Sequence, residues 1–109
     1  MKLKISHPNP EVFQEILKDV LNISTVVALG GQIPSELEMN NPSQRGRYWW
    51  KDEDRYHLAS SNNDWWAFIR EEYQTSIVLE IRRRNDTKGA ADALTLLLVA
   101  LFRNDAEIV

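Results

Sequence analysis

The chain contains no cysteine. That excludes disulfide staples, thiolate metal sites and cysteine nucleophiles, and it suits a reducing, cytoplasmic compartment. A long apolar run is also missing. The longest, "ALTLLLVALF" from Ala93 to Phe102, has ten residues between Asp92 and Arg103. A membrane span needs roughly 20 apolar residues, so this run reads as a core or interface helix. The start, "MKLKISHPNP", has two lysines but no apolar stretch after them, and no secretion signal is expected. Charge of one sign is lacking as well. Residues 1–46 carry four Lys+Arg against five Asp+Glu, and residues 47–109 carry nine against eleven. The formal net charge of −3 weighs against a nucleic-acid binder, which is usually basic.

Assembled catalytic parts are absent too. There is no Gly-x-Ser-x-Gly, no phosphate-binding glycine loop and no His-Glu-x-x-His. The only imidazoles are His7 and His57, and nothing in the sequence links them. No catalytic residue, metal site or cofactor is therefore assigned, and the expectation is a non-enzymatic protein. At 109 residues, with 43% hydrophobic and 27% charged residues, the chain is expected to form a single globular domain, 1–109, around one core. No internal repeat or low-complexity tract divides it.

Local patterns give the elements. "KLKIS" alternates and predicts a short strand. In "NPEVFQEILKDVLNI", Asn9 is a suitable N-cap and Pro10 fits the first helical position. Val12, Phe13, Ile16, Leu17, Val20 and Leu21 recur at three- and four-residue spacing, which predicts an amphipathic helix over about residues 10–22. In "STVVALGG" the β-branched Thr25-Val26-Val27 favour a strand ended by Gly30-Gly31. The competing reading extends the helix, with Gly30 as its C-terminal cap. "QIPSELEMNNPSQRG" reads as a long loop with one helical turn at "SELE".

From Arg47 the pattern turns strand-like. "RYWW" and "RYHLAS" flank a polar turn, "KDED". "SSNND" marks another turn before "WWAFIRE". In "TSIVLEIRRR", Ile77, Leu79 and Ile81 point one way, and Val78, Glu80 and Arg82 the other. A helix over 64–73 capped by Asn63 competes with the strand at "WWAFIRE". The final helix is capped by Asp86 or Thr87 and is apolar nearly all round from Ala90. Such a helix is deeply buried or shared with a partner, and a homodimer through it is one expectation. The fold class is α+β: a mostly antiparallel meander of three to five strands, with an N-terminal and a C-terminal helix packed on one face.

All four tryptophans fall in two doublets, Trp49-Trp50 and Trp65-Trp66. On strands, neighbouring side chains take opposite faces. One Trp of each pair then enters the core and the other stands on the open face. Asp52-Glu53-Asp54 forms an acidic knot beside them, and Glu71-Glu72 can extend it. Tryptophan is enriched in interface hot spots, and an acidic knot speeds encounter with a basic partner. The candidate partner-binding set is Trp49, Trp50, Asp52, Glu53, Asp54, Trp65, Trp66, Glu71 and Glu72. Tryptophans beside arginines are also stacking platforms for single-stranded bases. Arg82-Arg83-Arg84 alternates faces on a strand, so its three side chains cannot form one flat patch.

In length, charge balance and order of helices and strands, the chain resembles the small bacterial immunity proteins that neutralise toxins delivered between competing cells, including the contact-dependent growth-inhibition kind. That resemblance implies a cytoplasmic inhibitor. It would form a tight one-to-one complex with a toxin domain, often a nuclease, and cover its active site or a neighbouring surface. Single-stranded nucleic acid and self-association are the alternative expectations for the partner.

Overall fold

In a computed structural model, residues 1–33, 48–85 and 89–109 are described. The predicted "SELE" turn, most of the predicted long loop, and Asp86 and Thr87 lie outside them; the last helix begins at Ala90 with Gly89, not Asp86 or Thr87, as its N-cap.

The elements run β1 (Lys2–Ser6), α1 (Pro10–Ala28), β2 (Trp50–Asp52), β3 (Arg55–Ala59), β4 (Trp65–Glu72), β5 (Ser76–Arg83), α2 (Ala90–Leu101) and β6 (Ala106–Ile108). The strands form a six-stranded sheet in the order β2-β3-β4-β5-β1-β6, with every pairing antiparallel. The α+β class and the two helices match the expectation. The sheet is wider than three to five strands, because β6 adds three residues beside β1 at the C-terminus. "AEI" is too short to show an alternation in sequence.

Helix α1 begins as the residues dictate. Asn9 Oδ1 accepts from the backbone N–H groups of Glu11 (2.9 Å) and Val12 (3.2 Å), and Pro10 opens the first turn. The helix runs to Ala28, so the strand expected at Thr25–Val27 is instead its last turn. The physical reason is side-chain satisfaction and burial at helical spacing. The Ser24 and Thr25 hydroxyls donate to the carbonyls of Val20 (2.7 Å) and Leu21 (2.8 Å), one turn back. Val20, Leu21, Ser24, Thr25 and Ala28 continue the buried stripe of Phe13 and Leu17. Burial of this stripe outweighs the weak preference of the β-branched residues for strands. Gly30, at φ +72°, closes the helix. Gly31 N–H donates to the Val26 carbonyl (2.9 Å) and Gly30 N–H to that of Val27 (3.0 Å), the paired bonds of a Schellman motif.

One face of the sheet carries Leu3, Ile5, Leu58, Trp65, Ala67, Ile69, Ile77, Leu79 and Ile81, all buried with Phe13, Leu17 and Leu21 of α1 and Leu94 and Leu98 of α2. This is the core, and both helices lie on this side. Trp65–Glu72 is a strand rather than a helix. Its alternation puts Trp65, Ala67 and Ile69 into the core, and β3 and β5 take its backbone hydrogen bonds on both edges. Helix α2 buries Ala91, Leu94, Thr95 and Leu98 but leaves Leu96, Leu97 and Leu101 exposed. Among the described residues, no helix is long and apolar enough to cross a membrane.

Candidate functional site

The face of the sheet opposite the helices is uncovered among the described residues, and the two tryptophan doublets determine much of its shape. Trp49 and Trp65 are buried, at 3% and 2% relative exposure, while Trp50 is 48% exposed and Trp66 half-buried. The expected split of each pair therefore holds. Trp49 precedes β2, and its indole N–H donates to Thr25 Oγ1 of α1 at 3.0 Å. This satisfies a buried donor and pins the start of β2 to the helix layer. Trp50, the next residue, must then face outward.

Strand register aligns the outward side chains. Trp50 is opposite His57, His57 opposite Phe68, Phe68 opposite Glu80 and Glu80 opposite Lys2. Paired residues share a face, so one row crosses five strands. The Trp50 and His57 rings stack with centroids 5.8 Å apart, and His57 sits 5.8 Å from Phe68. His57 Nε2 lies 3.2 Å from the Asp52 carbonyl. Guanidinium groups cover the neighbouring rings. Arg82 is 5.2 Å and Arg55 5.8 Å from the Phe68 centroid, and Arg84 is 5.5 Å from that of Trp66. Between Trp50 and Trp66 lies a cleft of about 130 Å³, also lined by His57, Ala59, Asn63 and Arg84.

Electrostatically this face differs from the molecule as a whole. Alternation and register put Lys2, Lys4, Arg55, Arg70, Arg82 and Arg84 on it, against Asp52, Glu71, Glu80 and Glu107. Glu80, only 3% exposed, is held by Arg70 (3.1 Å) and by Arg82. Among the described residues, Lys2, Lys4, Arg55 and Arg84 have no carboxylate at ion-pair distance. Arg83 points the other way and pairs with Asp92 of α2 at 2.7 Å. The triplet Arg82-Arg83-Arg84 is thus split, as strand alternation requires.

The acidic knot lies at the rim of this face. Asp52 ends β2 opposite Arg55. Glu53 and Asp54 alone form the two-residue turn, with φ of 51° and 65°, the signature of a type I′ hairpin. The turn expected over Lys51–Asp54 is therefore half as long. Glu72, opposite Ile77 of the core face, joins Glu53 and Asp54 around a shallow hollow with Arg55, Tyr56, Ile69 and Arg70 at the strand ends, whereas the exposed Glu71 is opposite Val78 and faces the open side. Of the acidic residues named from the sequence, Glu53, Asp54 and Glu72 line one hollow and Asp52 and Glu71 do not, and the cations and aromatics that occupy the middle of the face escape the sequence. Arg55, His57, Phe68, Arg82 and Arg84 become one cluster only through pairing register, which composition and spacing within a single strand do not encode. The signal present is the recurrence of ring or cation at every second residue: Arg55/His57, Trp66/Phe68/Arg70 and Arg82/Arg84.

The two histidines are not brought together. His57 is on β3, whereas His7 follows β1, three strand spacings away, about 14 Å across the sheet. His7 Nδ1 accepts from Asn9 N–H at 3.0 Å and helps shape the entry to α1. Among the described residues, no three His, Asp or Glu side chains converge on a point that could hold a metal ion. Comparison with family models, with curated proteins and with solved structures finds no match to this chain.

Proposed function

We propose that this protein is a non-enzymatic protein-binding module of the immunity or antitoxin type, acting in the cytoplasm by covering the working surface of a cognate toxin domain. The observation that carries the reading is the open sheet face. It combines an exposed Trp50, a half-buried Trp66 and three arginines laid over aromatic rings. Trp and Arg dominate interface hot spots because they bury much area and place directional hydrogen bonds at its edge. A β-sheet beneath them orders their backbone, which lowers the entropy lost on docking relative to a loop. A fold alone does not name a function, and the test is biochemical. The chain should co-purify one-to-one with the product of a neighbouring gene and suppress that product's toxicity. A neighbouring product that is harmless by itself removes the basis of the proposal.

The alternation of aromatic and cationic side chains favours a second reading, single-stranded nucleic acid. Against it, the Phe68 and Trp66 rings already carry guanidinium groups of the same chain, which leaves Trp50 as the freest stacking surface. A thymidine oligonucleotide that leaves tryptophan fluorescence unchanged at low salt sets this reading aside.

A further inference from the structure

Resting on the protein-binding reading, we propose that the open sheet face docks an acidic protein segment, with its carboxylates on Arg82 and Arg84 and an apolar side chain in the Trp50–Trp66 cleft. The argument is charge complementarity set by geometry. A guanidinium near a ring still has N–H groups to offer a carboxylate, which it can meet in a bidentate pair. Arg82 and Arg55 lie 5.2 and 5.8 Å from the Phe68 centroid, and Arg84 lies 5.5 Å from that of Trp66. These contacts bias the three side chains toward the rings before any partner arrives.

The cations also exceed what the chain itself neutralises. Glu80 is one carboxylate between two arginines, Arg70 and Arg82. Arg55, Arg84, Lys2 and Lys4 have no ion-pair partner among the described residues. A positive face on a chain of net charge −3 is not explained by solubility, which either sign of net charge serves. The turn carboxylates Glu53 and Asp54 at the end of the β2–β3 hairpin add direction. A segment with a basic residue at that end and acidic residues toward Arg84 fits in one orientation only, because the reverse sets like charges together. A phosphodiester strand matches the arginines equally well but is repelled by the acidic rim, so the rim favours a protein.

The test measures tryptophan fluorescence at low salt against three probes: poly-glutamate, poly-lysine and a thymidine oligonucleotide. Poly-glutamate should bind, and the binding should weaken steeply as added salt shortens the screening length. Poly-lysine should bind more weakly than poly-glutamate, and the reverse order overturns the proposal. Arg84→Glu should weaken poly-glutamate binding about tenfold. Arg83→Glu, which alters an arginine paired to α2, should leave it within about twofold. Circular dichroism of each variant separates misfolding from lost contact. Failure of poly-glutamate to bind, or equal loss in both variants, overturns the proposal. Tighter binding of the oligonucleotide, lost in Arg84→Glu, overturns it in favour of nucleic acid. A complex with the neighbouring gene product that ignores salt and Arg84→Glu also overturns it, while leaving the protein-binding module intact.

Discussion

Thr25 illustrates how one residue can carry several structural consequences. Its hydroxyl donates to the Leu21 carbonyl at 2.8 Å and accepts from the Trp49 indole at 3.0 Å. Thr25→Val keeps the shape but strands a buried N–H, and should cost about 2 kcal/mol. In Trp49→Phe the indole is gone, so Thr25→Val should then cost much less. A double-mutant cycle in urea measures that coupling. The turn residues predict the opposite sign. Glu53 and Asp54 hold φ of 51° and 65°, a region that disfavours side chains bearing a Cβ. Asp54→Gly should stabilise the fold by about 1 kcal/mol, read as a raised urea midpoint. That two strained acidic residues stand where glycine fits better accords with a use for their charge. At this scale the sequence was informative about kind and silent about partners. It separated each tryptophan pair into inner and outer members, but nothing in it tied Trp49 to a threonine twenty-four positions away.

The elements differ in how far local pattern decided them. Helix α1 was legible at its start because its cap acts within three residues. Asn9→Ala should cost about 1 kcal/mol by thermal unfolding. Its end was not legible, because Ser24, Thr25, Val26 and Val27 have weak helical preference and are held helical by tertiary burial. For "WWAFIRE", local pattern allowed helix or strand, and pairing with β3 and β5 settled it. Helix α2 was legible as apolar, but which leucines face inward depends on how it lies on the sheet. Leu94 is fully buried, whereas Leu96 is 67% exposed. Leu94→Ala should therefore cost about 3 kcal/mol, and Leu96→Ala less than about 0.5 kcal/mol, compared by chemical denaturation. The exposed Leu96, Leu97 and Leu101 keep self-association a question for sedimentation. A concentration-independent monomer answers it in the negative.

For the whole molecule, the layer arrangement gives the sheet two unlike faces. The helices cover the apolar side of the sheet, which leaves the other side to display Trp50, the arginines near Phe68 and Trp66, and the acidic turn. The α+β layer was readable from the order of elements. The open face was readable only as aromatic and acidic, because its arginines come from β3, β4, β5 and the residue after β5, and its rings from β2, β3 and β4. Strand pairing interleaves them, and a chain read in one dimension does not show pairing. If the open face binds the partner, substitutions there change affinity with little effect on folding, while substitutions on the outer side of α2 change neither. The most direct measurement is the affinity for the neighbouring gene product of two variants that fold normally, Trp50→Ala and Leu96→Ala. The account predicts a loss of at least about tenfold for Trp50→Ala and wild-type affinity for Leu96→Ala. Unchanged affinity in Trp50→Ala, with the loss in Leu96→Ala instead, contradicts it.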